Sequence, residues 1–125
     1  MKKSFLLILV IFISCKSRNL ELSLEYKNQA LHDIEVDSVK VFTFGLPFIS
    51  PVESERIVQE TRNDKISDIY KKYGLYRLNL GCVIDTKEGK SRKNYHKITQ
   101  AYLEKRNKKG WKVKLEKEID DIIYN

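Results

Sequence analysis

The chain has 125 residues, 42% of them hydrophobic and 33% charged, with a formal net charge of +7. That length builds one modest hydrophobic core, and two cysteines are too few to frame a disulfide-rich miniature domain. The longest apolar run, Phe5 to Ile13, holds nine residues, whereas a bilayer-spanning helix needs about 20.

That run has a specific setting. Lys2 and Lys3 precede it and Ser14-Cys15 follows, which reproduces the basic, apolar and small-residue regions of a secretory signal. Phe12-Ile13-Ser14-Cys15 resembles a bacterial lipobox, with Phe12 where leucine is preferred. The resemblance implies removal of residues 1–14 and attachment of acyl chains to Cys15. Two or three such chains hold a protein firmly on its membrane, whereas one gives only marginal binding. Residues 15–19 then read as a lipidated cysteine with a short polar tether, and residues 20–125 as a single domain. In many of the lipoproteins it resembles, an aspartate after the cysteine retains the product in the inner membrane and an acidic cluster just beyond directs it to the cell surface; neither is present here. The expected address is therefore the bacterial cell envelope, at the periplasmic leaflet of the outer membrane.

Leu20, Leu22, Leu24 and Tyr26 alternate with Glu21, Ser23 and Glu25, the period-2 pattern of a half-buried strand. Val39 to Phe44 reads as a second strand, ended by Gly45-Leu46-Pro47. Ser50-Pro51-Val52-Glu53 carries a serine cap, a proline at the first helical position and a glutamate three residues on, predicting a short helix to about Arg62. A stronger helix is predicted over Asp64–Tyr73, where Ile66, Ile69, Tyr70 and Tyr73 share one face and Gly74 supplies a left-handed stop. Tyr76 to Val83 alternates as a third strand with Cys82 on its apolar face, where burial is expected. Asp85 to Lys93 reads as a charged loop. Helices follow over about Asn94–Arg106, burying Tyr95, Ile98, Ala101 and Tyr102, and from Trp111 onward, burying Leu115, Ile119, Ile122 and Ile123. The expected fold is α+β, a small antiparallel or mixed sheet of about three strands packed by two to four helices, with most helix in the second half.

Tyr70-Lys71-Lys72-Tyr73-Gly74, Gly81-Cys82-Val83, Tyr95, Tyr102-Leu103 and Gly110-Trp111 together resemble the FEKKY-domain lipoproteins, small envelope proteins of Bacteroidota. The similarity covers about residues 67–124, with Ile69-Tyr70 where that family has Phe-Glu. It implies an intact small fold and an envelope location, and it brings no assigned activity, ligand or catalytic residue.

Charge is unevenly divided. Residues 16–64 carry −3 and residues 65–125 carry +8. Between Lys87 and Lys114 stand eleven lysines and arginines against Glu88 and Glu104. Lys87, Lys90, Arg92, Lys93, Lys105, Arg106, Lys108, Lys109 and Lys112 are the candidate contacts to an anionic partner, with Lys97 and Lys114 in the same tract. Clustered cations concentrate anions and speed their capture. In an envelope those anions are lipid headgroups, lipopolysaccharide phosphates or acidic protein faces, and nucleic acid is not expected. The bland alternative is a solvated face that keeps the domain soluble.

Catalytic signals are thin. Cys82 with His96, and Asp85 as orienter, would be the components of a thiol site, but their spacing carries no local signature. There is no C-x-x-C, no H-x-x-x-H and no phosphate-cradling glycine loop, so no metal or cofactor is expected. The sequence thus implies a lipid-anchored, non-enzymatic envelope module with a basic surface. The competing reading is a thiol-dependent enzyme or redox protein centred on Cys82.

Overall fold

The computed structural model describes residues 2–82 and 85–125, with the side chains of residues 2–17, 19 and 87 outside that description. The fold is α+β and mostly helical. Its elements run α1 (Lys2–Glu35), β1 (Val39–Thr43), α2 (Glu53–Lys72), β2 (Leu75–Asn79), α3 (Thr86–Asn107) and α4 (Trp111–Tyr124). Among the described residues no helix is long and apolar enough to cross a membrane. Cys15 falls within α1 by its backbone, and its side chain lies outside the described set.

The Leu20–Tyr26 segment is helix, which corrects the strand expected there. Residues 20–33 contain no valine, isoleucine or threonine and are rich in Leu, Glu, Lys, Gln and Ala, whose side chains lose little freedom in a helix. The residues that pack are Tyr26, Ala30 and Asp33, at i, i+4 and i+7, while Leu20 (73% exposed) and Leu24 (55%) stay in solvent. A seven-residue alternation was outweighed by composition and by the helical spacing that follows it.

The sheet among the described residues has two strands, parallel, in register from Val39↔Leu75 to Thr43↔Asn79. This corrects the three-stranded, antiparallel or mixed arrangement. The connection dictates the direction. A 20-residue helix between the strands returns the chain to the end where it began, the crossover that parallel pairing requires. That helix is continuous where two were expected, because Arg62-Asn63-Asp64 contains neither glycine nor proline to break it. Its start lies later than the serine-proline signal suggests. Val52 is the cap residue, and Ser50 Oγ accepts from the Val52 N–H (3.2 Å) and donates to Glu55 Oε2 (2.6 Å).

Residues 86–93, expected as loop, form the first turns of α3. Glu88 and Arg92 pair at i, i+4 (2.9 Å), and Arg92 Nη2 also holds the Asp85 carbonyl (3.1 Å). Against these, one glycine inside a helix costs about 1 kcal/mol.

The core comprises Ala30, Val39, Tyr73, Leu75, Tyr95, Leu103, Trp111 and Leu115, with Ile69, Tyr70, Ile98, Tyr102 and Ile119 packed against it. Ala101 and Ile123, expected inside, are exposed. In α3 the buried stripe runs one position past the expected one, through Thr99 and Leu103.

Gly74 adopts φ +72°, as its role in stopping α2 demands. A Cβ there would lie 2.5 Å from Asp37 Oδ1 and 2.7 Å from Arg106 Nε. Gly110 has a similar φ of +80° but nothing within 4 Å of its Cβ position. Left-handed backbone costs a non-glycine residue about 1–2 kcal/mol. Gly74→Ala is expected to lose more stability than Gly110→Ala in urea unfolding, because it also displaces an ion pair. Equal losses would show that the pair yields without cost.

Candidate anion-binding face

Helix α3 sorts its charges by side. At about 100° per residue, Ser91, Arg92, Tyr95, Thr99 and Leu103 fall on one side and are buried. Lys90, Lys93, Lys97 and Lys105 fall on the other and are exposed. None of these four lysines has an acidic partner among the described residues. From Lys90 to Lys105 the stripe extends about 22 Å at 1.5 Å per residue, interrupted by Ala101 and Glu104.

The two arginines of the tract point elsewhere. Arg92 is 9% exposed. Its guanidinium bonds Glu88 and the Asp85 carbonyl and sits over the Phe44 ring at 5.4 Å. Glu88 in turn accepts from the Tyr26 hydroxyl (3.1 Å), so Arg92 ties α3 to α1. Arg106 grips Asp37 through two donors, Nη2 to Oδ2 at 2.6 Å among them, and its Nη1 donates to the Lys72 carbonyl (3.0 Å). Tyr102 donates to the same carboxylate at 2.6 Å. Hydrogen bonding from Arg106 holds the Asp37 carboxyl below the usual carboxylate range, so the clamp is ionised at neutral pH. A planar fork with five donors suits such multidentate anchoring, and a lysine ammonium on a flexible stem suits a mobile surface contact. The sequence counts both as positive charge; the structure divides their roles.

At the turn into α4, Lys108 and Lys109 are exposed. Lys112 lies 3.7 Å from Glu104 and over the Trp111 ring at 5.6 Å. Lys114 is exposed on α4, and the Lys87 side chain lies outside the described set.

Cys82 is exposed, in the turn after β2, which corrects its expected burial: β2 ends at Asn79, whose side-chain oxygen accepts the Gly81 N–H (2.7 Å) and turns the chain away. No hydrogen bond joins Cys82 to His96 among the described residues. His96 sits against the Phe42 and Tyr95 rings, at 5.6 and 5.7 Å. Desolvation of its ring, and then the charge of Arg92, hold it below its ordinary pKa; it adds no cation at neutral pH. Among the described residues no three His, Cys, Asp or Glu side chains are grouped to hold a metal.

One polar cluster escaped sequence reasoning. Asp33, 2% exposed, accepts from Lys40 Nζ (2.7 and 2.9 Å), Gln29 Nε2 (2.7 Å) and the Tyr95 hydroxyl (2.6 Å). Tyr95 Oη also accepts the Lys40 N–H at 2.7 Å. Burial, then the bond to Asp33, raises the Tyr95 pKa, so the phenol stays a neutral donor. With its acceptors filled, Asp33 joins α1, β1 and α3 and acts as a structural staple. Its only sequence signal is an acid at i+3 from Ala30 on a packed face.

Comparison with protein-family models, with curated proteins and with solved structures finds no match to this chain.

Proposed function

We propose that this is a lipid-anchored envelope protein, attached through Cys15, whose α3 lysine face contacts an anionic surface such as phosphatidylglycerol headgroups or lipopolysaccharide phosphates. The observation that carries the reading is the division within α3. Its arginines are consumed in internal clamps while four lysines stand outward on one side, none in an ion pair among the described residues. The lipobox-like Phe12–Cys15 segment and the FEKKY-like residues support the envelope assignment. A further support is the outer stripe of α1, where Leu20, Leu24 and Leu31 are all more than half exposed and follow the proposed anchor directly.

The test compares unlipidated protein, residues 16–125, carrying Lys90→Glu, Lys93→Glu and Lys97→Glu with a control carrying Arg56→Glu and Arg62→Glu. Each cation near an anionic membrane contributes about 1 kcal/mol, and the effect fades beyond a Debye length of about 8 Å at physiological salt. The α3 variant is expected to bind phosphatidylglycerol vesicles more than tenfold less well at low salt, with the control near wild type and neither differing on phosphatidylcholine. Equal binding by the two variants would leave the α3 face as a solubilising surface.

A further inference from the structure

The pairing of β1 with β2 fixes where the unused backbone groups of the sheet point. Val39, Val41 and Thr43 lie opposite Leu75, Arg77 and Asn79. The Val39 N–H donates to the Gly74 carbonyl and the Leu80 N–H to the Thr43 carbonyl, both at 2.9 Å. These two bonds set the phase. In a parallel ladder a residue bonds to the two neighbours of the one it faces, so Val39, Val41 and Thr43 bond to Gly74, Tyr76, Leu78 and Leu80. Leu75, Arg77 and Asn79 then turn three N–H and three C=O groups to the outer edge of β2. None of the six has a hydrogen-bond partner among the described residues.

A cleft of about 380 Å³ lies beside β2, lined on that strand by Leu75, Tyr76, Arg77 and Asn79, with Thr43 and Pro47 also in its wall. Its opposite wall is α2, which presents Asn63, Ser67 and Lys71 at i, i+4 and i+8, one side of the helix. At about 3.3 Å per residue, β2 offers roughly 16 Å of edge, enough for a four- or five-residue strand. Arg77 reaches across to Ser67 Oγ (3.3 Å) and the Asn63 carbonyl (3.5 Å), and its Nε is buried with no partner. Lys71 is exposed at the cleft and, among the described residues, pairs only with exposed Asp68 (3.2 Å). Among the described residues no aspartate or glutamate lines the cleft.

We propose that the edge of β2 binds an extended acidic peptide, which adds to the sheet as a third strand between β2 and α2. A row of alternating donors and acceptors is matched by another backbone, the mode of recognition in strand addition. Lys71 and Arg77 select the sign of the side chains. A second copy of this chain pairing through the same edge is disfavoured by charge: a two-fold axis at the centre of β2 sets Arg77 against its own counterpart, and like charges directly opposite are destabilising.

The test is a positional-scanning library of acetylated, amidated octapeptides presented to the purified chain and to a Lys71→Glu variant, whose substituted side chain is exposed and outside the core. Enrichment of Asp and Glu at alternate positions is expected, with at least tenfold weaker binding to the variant. N-methylation of alternate amides in the selected peptide should abolish binding without any change to the protein. Hydrogen exchange at the amides of Leu75, Arg77 and Asn79 should slow on addition of the peptide. Indifference to charge, to N-methylation or at these three amides would overturn the proposal. So would concentration-dependent protection of the three amides in the absence of peptide, which would assign the edge to a second copy.

Discussion

Asp33→Ala is expected to cost about 3–5 kcal/mol, the range for removing one member of a buried ion pair and leaving its partner uncompensated. Three donors lose their acceptor together: Lys40 Nζ, Gln29 Nε2 and the Tyr95 hydroxyl. Lys40 retains 24% side-chain exposure and recovers some hydration, which places the loss toward the lower end. The Tyr95 hydroxyl has no such recourse, since Tyr95 is fully buried and its raised pKa keeps the proton on the ring oxygen. Domains of this size are stable by about 5–15 kcal/mol, so the substitution removes a large part of the total. Asp33→Asn keeps one acceptor and should cost less. Urea unfolding of the two variants at pH 7 checks the order; an Asp33→Ala curve superimposed on wild type would show that the staple is dispensable.

Where the sequence pattern was long and the punctuation strong, the fold was readable. The Ile66, Ile69, Tyr70 and Tyr73 face, the Gly74 stop, the Val39 strand and the Trp111 helix stand where the spacing puts them. Failures cluster where two periods compete over a short stretch. Leu20 to Tyr26 alternates perfectly and is nonetheless helical, because the helical set Tyr26, Ala30 and Asp33 extends beyond that seven-residue stretch. The direction of the sheet was legible in principle: two strands joined by an uninterrupted helix must run parallel, and the supposed break at Arg62 obscured it. Within the candidate site, charge density was visible and its allocation was not. That Arg92 and Arg106 turn inward while Lys90, Lys93 and Lys97 turn outward follows from helical phase, and the phase of α3 depended on a start at Thr86 that a glycine and a run of charges disguised. The Asp33 cluster joins residues 62 positions apart, and no local pattern announces such a pairing.

Cys15→Ser is expected to convert a protein that resists salt extraction from membranes into one that salt removes. The two attachments in the proposed function differ in kind. Acyl chains contribute about 0.8 kcal/mol per buried methylene and are indifferent to ionic strength. Lysines contribute about 1 kcal/mol each near an anionic surface, and at 1 M salt the Debye length falls to about 3 Å, which extinguishes that attraction. Geometry allows both to act at once. Among the described residues the first side chain packed against the core after Cys15 is Tyr26, eleven residues on, a distance of about 16 Å as helix or at most about 36 Å extended, so an anchor at Cys15 would keep the α3 face close to the headgroups. Wild type should remain in the membrane fraction after a 1 M salt wash and carry the mass of a diacylglycerol. The Cys15→Ser protein should lack that mass and keep residues 1–14, whose nine-residue apolar run is too short to span, and the wash should release most of it. Adding Lys90→Glu, Lys93→Glu and Lys97→Glu to Cys15→Ser should lower membrane association before the wash as well, which separates the charge contribution from the lipid one. Salt-resistant association of Cys15→Ser at the wild-type level would overturn the anchor.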